Sequence, residues 1–218
     1  MKFARFALAL AAPFLLVSCF LSPGKFVSTL DIRKDRSFTF TYVGEIISAD
    51  PKMTSGSGQD STPATGATPG PPTAATLAQR RAIAEALSKE EGYRSVEYLG
   101  GDRFRVDYSI SGRLDRGFVY PINLDAMAFI PWIAAEIRKD GTVRIKAIAF
   151  GDPSEAMGTG TPAEPADGRE GTFTLTTDAA LVMQNNESGT APGTGGGTKV
   201  VWHINPTTKA VPTAVVRF

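Results

Sequence analysis

Residues 26–43 read FVSTLDIRKDRSFTFTYV. Phe26, Ser28, Leu30 and Ile32 alternate with Val27, Thr29 and Asp31, and after Arg33-Lys34-Asp35-Arg36 the residues Phe38, Phe40 and Tyr42 alternate with Thr39, Thr41 and Val43. Period-two patterning in aromatic and β-branched residues, on both sides of a short polar turn, predicts a β-hairpin with one buried face. Arg36 stands where glycine would be comfortable, so the pattern leaves the turn type open.

The same alternation recurs downstream. Tyr93–Leu99, the turn Gly100-Gly101-Asp102 and Arg103–Ser111 predict a second hairpin, and Phe118, Tyr120 and Ile122 a further strand. Leu124–Ile137 is the most apolar stretch after the leader, and Asp140-Gly141 turns it into Thr142–Phe150. Pro131 cannot donate to a ladder and belongs at an edge, a bulge or a strand start. Thr172–Thr177, Ala180–Gln184, Thr198–Asn205 and Pro212–Phe218 are four further short β segments.

One helix is expected, over Leu77–Glu91. Thr76 and Gln79 have capping-box spacing, Ala82, Ile83, Ala86 and Leu87 form an apolar stripe, Glu85 and Lys89 an i,i+4 pair, and Gly92 the stop. The adjacent Arg80-Arg81 reads as a solvated face. With strands far outnumbering helices and no strand–helix–strand rhythm, the fold class is α+β: mostly antiparallel sheet with one main helix packed against it. Residues 49–75 hold no aromatic and one large apolar residue, Met53, which predicts a disordered linker inside the single domain 26–218.

The amino terminus is of a different kind. Lys2 and Arg5 precede an uncharged apolar run, Phe6–Val17, which is shorter than the roughly 20 residues of a membrane span. Residues 1–18 read as a signal peptide and 19–25 as anchor and spacer. Leu16-Val17-Ser18-Cys19 resembles the lipobox of bacterial lipoproteins, which implies lipid attachment to the Cys19 sulfur, cleavage before it and acylation of the new amino terminus, with palmitate among the usual chains. Phe20, where an inner-membrane retention signal usually carries Asp, implies the outer membrane facing the periplasm. The plainer alternative is a secretory signal with an incidental cysteine.

Composition narrows the function. Without Lys2 and Arg5 the 23 basic side chains become 21, against 22 acidic ones, which gives no footprint for nucleic acid. Cys19 is the single cysteine, so lipidation would leave no disulfide and no thiol nucleophile. Gly193-Thr194-Gly195-Gly196-Gly197-Thr198-Lys199 lacks the glycine before lysine and the following helix of a phosphate loop, and reads as a hairpin loop. His203, the single histidine, has neither a nucleophile elbow nor metal-spaced partners. Asn186-Glu187-Ser188 matches a sequon that a bacterial lipoprotein has no reason to use, and Glu90-Glu91 end a helix. No cofactor and no catalytic residue is assigned, and the chain reads as a non-enzyme.

The binding candidates are Phe118, Tyr120, Met127, Phe129 and Trp132, which either form core or line an apolar pocket for a lipid or another amphiphile. Lipobox, the 26–43 hairpin, Asn185-Asn186 and Val201-Trp202-His203-Ile204 together resemble the LppM-type bacterial lipoproteins. That resemblance implies an envelope domain with an apolar cavity for lipid-like molecules. A structural lipoprotein contacting another envelope protein is the alternative.

Overall fold

The hairpin pattern becomes two long strands, β1 (Phe20–Ile32) and β2 (Ser37–Ala49), paired antiparallel from Ile32 opposite Phe38 to Phe20 opposite Ala49. The structure is a computed structural model, and it describes residues 20–49, 74–120, 131–152 and 168–218. At the turn Arg36 takes the left-handed conformation (φ 69°). That conformation costs about 1–2 kcal/mol for a residue with a Cβ. Asp35 offsets it by accepting from the Ser37 amide (2.8 Å) and hydroxyl (2.6 Å), which holds its carboxyl below the usual range. The Arg36 guanidinium also lies 5.0 Å from the centre of the Phe218 ring.

β1 begins six residues earlier than expected, so the Ser22-Pro23-Gly24 spacer is instead strand. The ladder shifts register between Pro23 and Phe26, where a bulge tolerates a residue without an N–H. Gly44 lies opposite, and a Cβ there would fall 2.4 Å from the Lys25 carbonyl oxygen. The bulge thus depends on a glycine twenty residues downstream.

Helix α1 spans Ala74–Ser88, three residues earlier at both ends than the sequence predicts, so Thr76 is inside it. The side chains of Thr76 and Gln79 lie outside the described ones. Gly92 (φ +92°) makes the stop, backed by the Tyr108 ring, and Lys89 pairs with Glu85 at 2.7 Å. The buried stripe differs from expectation. Ile83 and Ala84 pack on the core while Ala82 and Ala86 are exposed. Arg80, read as solvated, is buried, because Ser48 (2.8 Å) and Asp102 (2.5 Å) satisfy its guanidinium. Its neighbour Arg81 is exposed.

The remaining strands are β3 (Tyr93–Gly100), β4 (Arg103–Arg113), β5 (Phe118–Tyr120), β6 (Ile133–Ile137), β7 (Thr142–Lys146), β8 (Glu170–Thr177), β9 (Ala180–Gln184), β10 (Ala191–Pro192), β11 (Thr198–Ile204) and β12 (Thr213–Arg217). Thr142–Phe150 is not one strand: after β7 the chain turns through a 3₁₀ turn, Ile148–Phe150, which drives Phe150 into the core. The loop from Asn185 to Gly197 contributes β10, and its glycine run closes through Gly193 N–H to Gly197 O (2.8 Å) before a strand, as a hairpin loop does.

Two sheets result, in the orders β10-β11-β8-β1-β2-β4-β3 and β5-β6-β7-β12-β9. The described residues are thus mostly strand with one α-helix. The second sheet is antiparallel. The first is mixed, because β8 runs parallel to β1 from Lys25 beside Glu170 to Ile32 beside Thr177. The expected antiparallel rule breaks there for a topological reason: β8 returns only after the chain has built β3 to β7. Between the sheets lies one core, in which Phe40, Phe104, Phe173 and Leu30 meet Tyr120, Ile133, Ile145 and Val216. The anticipated linker, residues 49–75, has Ala49 in β2 and Ala74 and Ala75 in α1, and 50–73 lie outside the described residues.

Candidate functional site: an aromatic cluster beside the start of β1

Phe118 and Tyr120, two apart on β5, face the core while Val119 between them is 41% exposed. Trp132 precedes β6, and its amide donates to the Tyr120 carbonyl at 2.7 Å. The structure therefore brings together three of the five residues proposed from sequence, exposed by 6%, 1% and 2%. Met127 and Phe129 lie outside the described residues.

Around these three the first sheet supplies rings the sequence did not single out. Tyr120 lies 4.4 Å from Tyr108, 4.9 Å from Phe40 and 5.8 Å, edge-on, from Trp132, centre to centre. Trp132 is 5.3 Å from Tyr42, which stacks on Phe26, and Phe26 stacks on Phe150 at 4.3 Å. The separations suit the offset and edge-to-face arrangements that aromatic rings prefer. The Trp132 indole N–H donates to the Leu21 carbonyl at 3.2 Å. Leu21 is two residues beyond Cys19, which itself lies outside the described residues.

Polar groups enter this apolar cluster at few points. The Tyr42 hydroxyl donates to the Glu45 carbonyl at 2.7 Å. The Tyr120 hydroxyl is buried and lies near enough to the Tyr93 hydroxyl for a hydrogen bond between them to shift both titrations, but it has no partner at full hydrogen-bond geometry. Burial pushes Tyr42 and Tyr120 well above the ordinary tyrosine range, raises Tyr93, and lifts Tyr108 to about 12. A phenol whose folded-state pKa exceeds its unfolded value of about 10 holds the fold fully below that pH. Stability should therefore decline as pH rises past 10 through 12, read as a falling urea midpoint.

An unpartnered buried hydroxyl costs free energy that a hydrocarbon of the same shape does not. Tyr120→Phe should accordingly raise stability by up to about 1 kcal/mol in urea titration. A loss above that size would mean that the hydroxyl has a partner in the folded chain.

Other residues weighed from sequence take structural or solvated positions. His203, Glu90 and Glu91 are exposed, and Val200, Trp202 and Ile204 are buried as the strand pattern predicts. Asn185 accepts from the Trp202 indole (3.1 Å) and the Thr213 amide (2.8 Å) and donates to the Val211 carbonyl (2.8 Å). Asn186, the sequon asparagine, donates to the Val201 carbonyl and caps the Ser188 amide. The pair ties β9 to β11 and β12. Arg169, with no sequence signal, is 5% exposed and donates to the carbonyls of Ala149, Gly151 and Thr208. Burial lowers its pKa, partly opposed by Asp152. It clamps two segments, the 148–151 turn and the loop at Thr208, to the start of β8. A shallow open groove lies beside the bulge, lined by Lys25, Phe26, Val27, Val43, Glu170 and Gly171.

Comparison with known proteins adds little to this geometry. No protein-family model and no curated protein matches the sequence. Among solved structures, the chain is similar to the NMR structure of the folded domain of Mycobacterium tuberculosis LppM. That similarity has a TM-score of 0.36 at 14% identity, over 99% of this chain and 96% of the other. At that score it fixes neither fold nor function. Among the described residues no helix is long and apolar enough to cross a membrane, and no three His, Cys, Asp or Glu side chains cluster as metal ligands would.

Proposed function

We propose that this chain is a lipid-anchored lipoprotein of the bacterial envelope, non-catalytic, whose aromatic cluster holds a lipid or another amphiphile. The observation that carries the reading is the hydrogen bond from Trp132 to Leu21. It ties the aromatic cluster to the strand that starts one residue after the lipobox cysteine. An acyl chain that entered this apolar cluster would remove its own surface from water, at about 25 cal/mol per Å². The buried Tyr120 hydroxyl, with only the Tyr93 hydroxyl beside it, is suited to donate to an ester or hydroxyl of a head group. Attachment through several acyl chains on Cys19 anchors firmly where one chain alone is marginal. Phe20 after the cysteine favours the outer membrane, facing the periplasm.

The test is lipid extraction and native mass measurement on the body, residues 20–218, produced without its leader. About one amphiphile per chain is expected, with retention reduced in Tyr120→Phe although that variant is no less stable. A body that carries no amphiphile after purification from cells contradicts the reading. A second reading, an assembly lipoprotein docked on another envelope protein, draws on the edge strand β9, where Val182 and Met183 are 49% and 44% exposed. Crosslinking from position 182 in intact cells to a discrete protein would favour it.

A further inference from the structure

The start of β1 lies at one end of the sandwich, and the same end gathers several other elements. Phe20 is opposite Ala49, the last residue of β2. The Ser48 amide donates to the Asp102 carbonyl at 2.8 Å, which places the β3–β4 turn there. Arg80 of α1 reaches both Ser48 and Asp102. Trp132 touches Leu21, and a Cβ on Gly168 would lie 3.3 Å from Arg103, the residue opposite Ile47. The opposite end includes the charged turns at 33–36, 114–117 and 138–141.

We infer that this end of the sandwich rests on the membrane leaflet that carries the Cys19 lipid, so that the domain stands on it with β1 as a rigid upright. The inference rests on the lipid-anchor reading. Cys19 and Phe20 are adjacent, so their Cα atoms are about 3.8 Å apart, and no spacer separates lipid from sheet. β1 is hydrogen-bonded to β2 from its first residue and cannot swivel like a coil. Its 13 residues span roughly 43 Å at about 3.3 Å each, which sets the distance of the 33–36 turn from the head groups. Two cations of the anchored end are paired internally, Arg80 with Asp102 at 2.5 Å and Arg103 with Glu45 at 2.8 Å, while Arg81 is exposed there. Lys139 and Arg116 are exposed at the other end, with no ion pair within 4.0 Å among the described residues. Trp132 is then the part of the aromatic cluster nearest the bilayer, whereas Tyr120, beside Phe40, is level with Leu30 further up β1.

The chain has one cysteine, taken up by the anchor, so single introduced cysteines can be labelled. Full-length acylated Arg81→Cys and Lys139→Cys, each carrying a fluorophore, are reconstituted in phosphatidylcholine vesicles with nitroxide head groups. Both positions are exposed, the first beside Arg80 at the anchored end and the second in the β6–β7 turn. Several-fold stronger quenching at 81 than at 139 is expected. Equal quenching, or stronger quenching at 139, overturns the orientation. Intact mass on the same samples separates the failures: acylated protein with equal quenching sinks the orientation alone, whereas protein without acyl mass and without vesicle binding sinks the anchor reading with it.

Discussion

Gly171→Ala should destabilise the chain by about 3 kcal/mol or prevent it from folding, the upper end of what overpacking costs. A Cβ at 171 would lie 2.1 Å from the Phe26 carbonyl oxygen and 2.9 Å from carbons of its ring. The first obstacle is backbone inside the β1–β8 ladder, where Phe26 is directly beside Gly171, so no rotamer change relieves it. Gly112→Ala is the control, since its Cβ would meet the Phe38 ring edge at 3.0 Å, a side chain that can yield. Urea midpoints of the two variants should differ by most of the Gly171 effect. Near-equal midpoints would mean that β8 does not lie against β1 in this parallel register.

Phe150→Ala is the second large effect, about 3–5 kcal/mol, the range for emptying an aromatic site in a packed core. Phe150 has no solvent exposure, stacks on Phe26 at 4.3 Å and meets Phe173 at 5.7 Å. Phe173 in turn stacks on Trp202 at 5.4 Å. Phe150 therefore joins the aromatic groups around β1 and β11, and its loss leaves a void that neither strand can collapse into without breaking ladder hydrogen bonds. A shift of the urea midpoint corresponding to less than about 1 kcal/mol would contradict this placement.

Both positions mark where sequence patterning stops informing the fold. The alternation in residues 26–43 was sufficient for the hairpin because every inward residue is buried and the pattern needs only its own neighbours: Leu30, Ile32 and Phe40 are fully buried while Val27 and Val43 are exposed. Period-two reading also located β3, β4, β8, β9, β11 and β12 to within a few residues. It failed where the deciding partner is distant. Ser22-Pro23-Gly24 looks like a spacer until Ile47 and Ile46 pair with it, and Arg80 looks solvated until Ser48 and Asp102 surround it. Phe150 continues an apolar alternation, yet the Ala147 amide bonds to Pro212 and the chain turns inward there. Nothing local distinguishes β8 as parallel, since parallel pairing is a property of the path between strands.

The candidate site was legible in part for the same reason. Phe118, Tyr120 and Trp132 stood out by apolar density, and they do converge. Tyr42 and Phe26 join them from 78 and 94 residues before Tyr120, a proximity that no local window contains, and Tyr108 joins them from β4 in the other sheet. The unpartnered state of the Tyr120 hydroxyl is likewise a property of packing and not of composition.

The central claim is that Cys19 ties this sandwich to a membrane at the start of β1. The most direct measurement is the intact mass and amino-terminal sequence of the chain recovered from cell membranes, beside the Cys19→Ser variant. The account predicts a chain that begins at Cys19 and carries acyl mass on that residue, with the acyl mass absent from the variant. An unacylated cysteine, or a chain that retains residues 1–18 in the wild type, would contradict it.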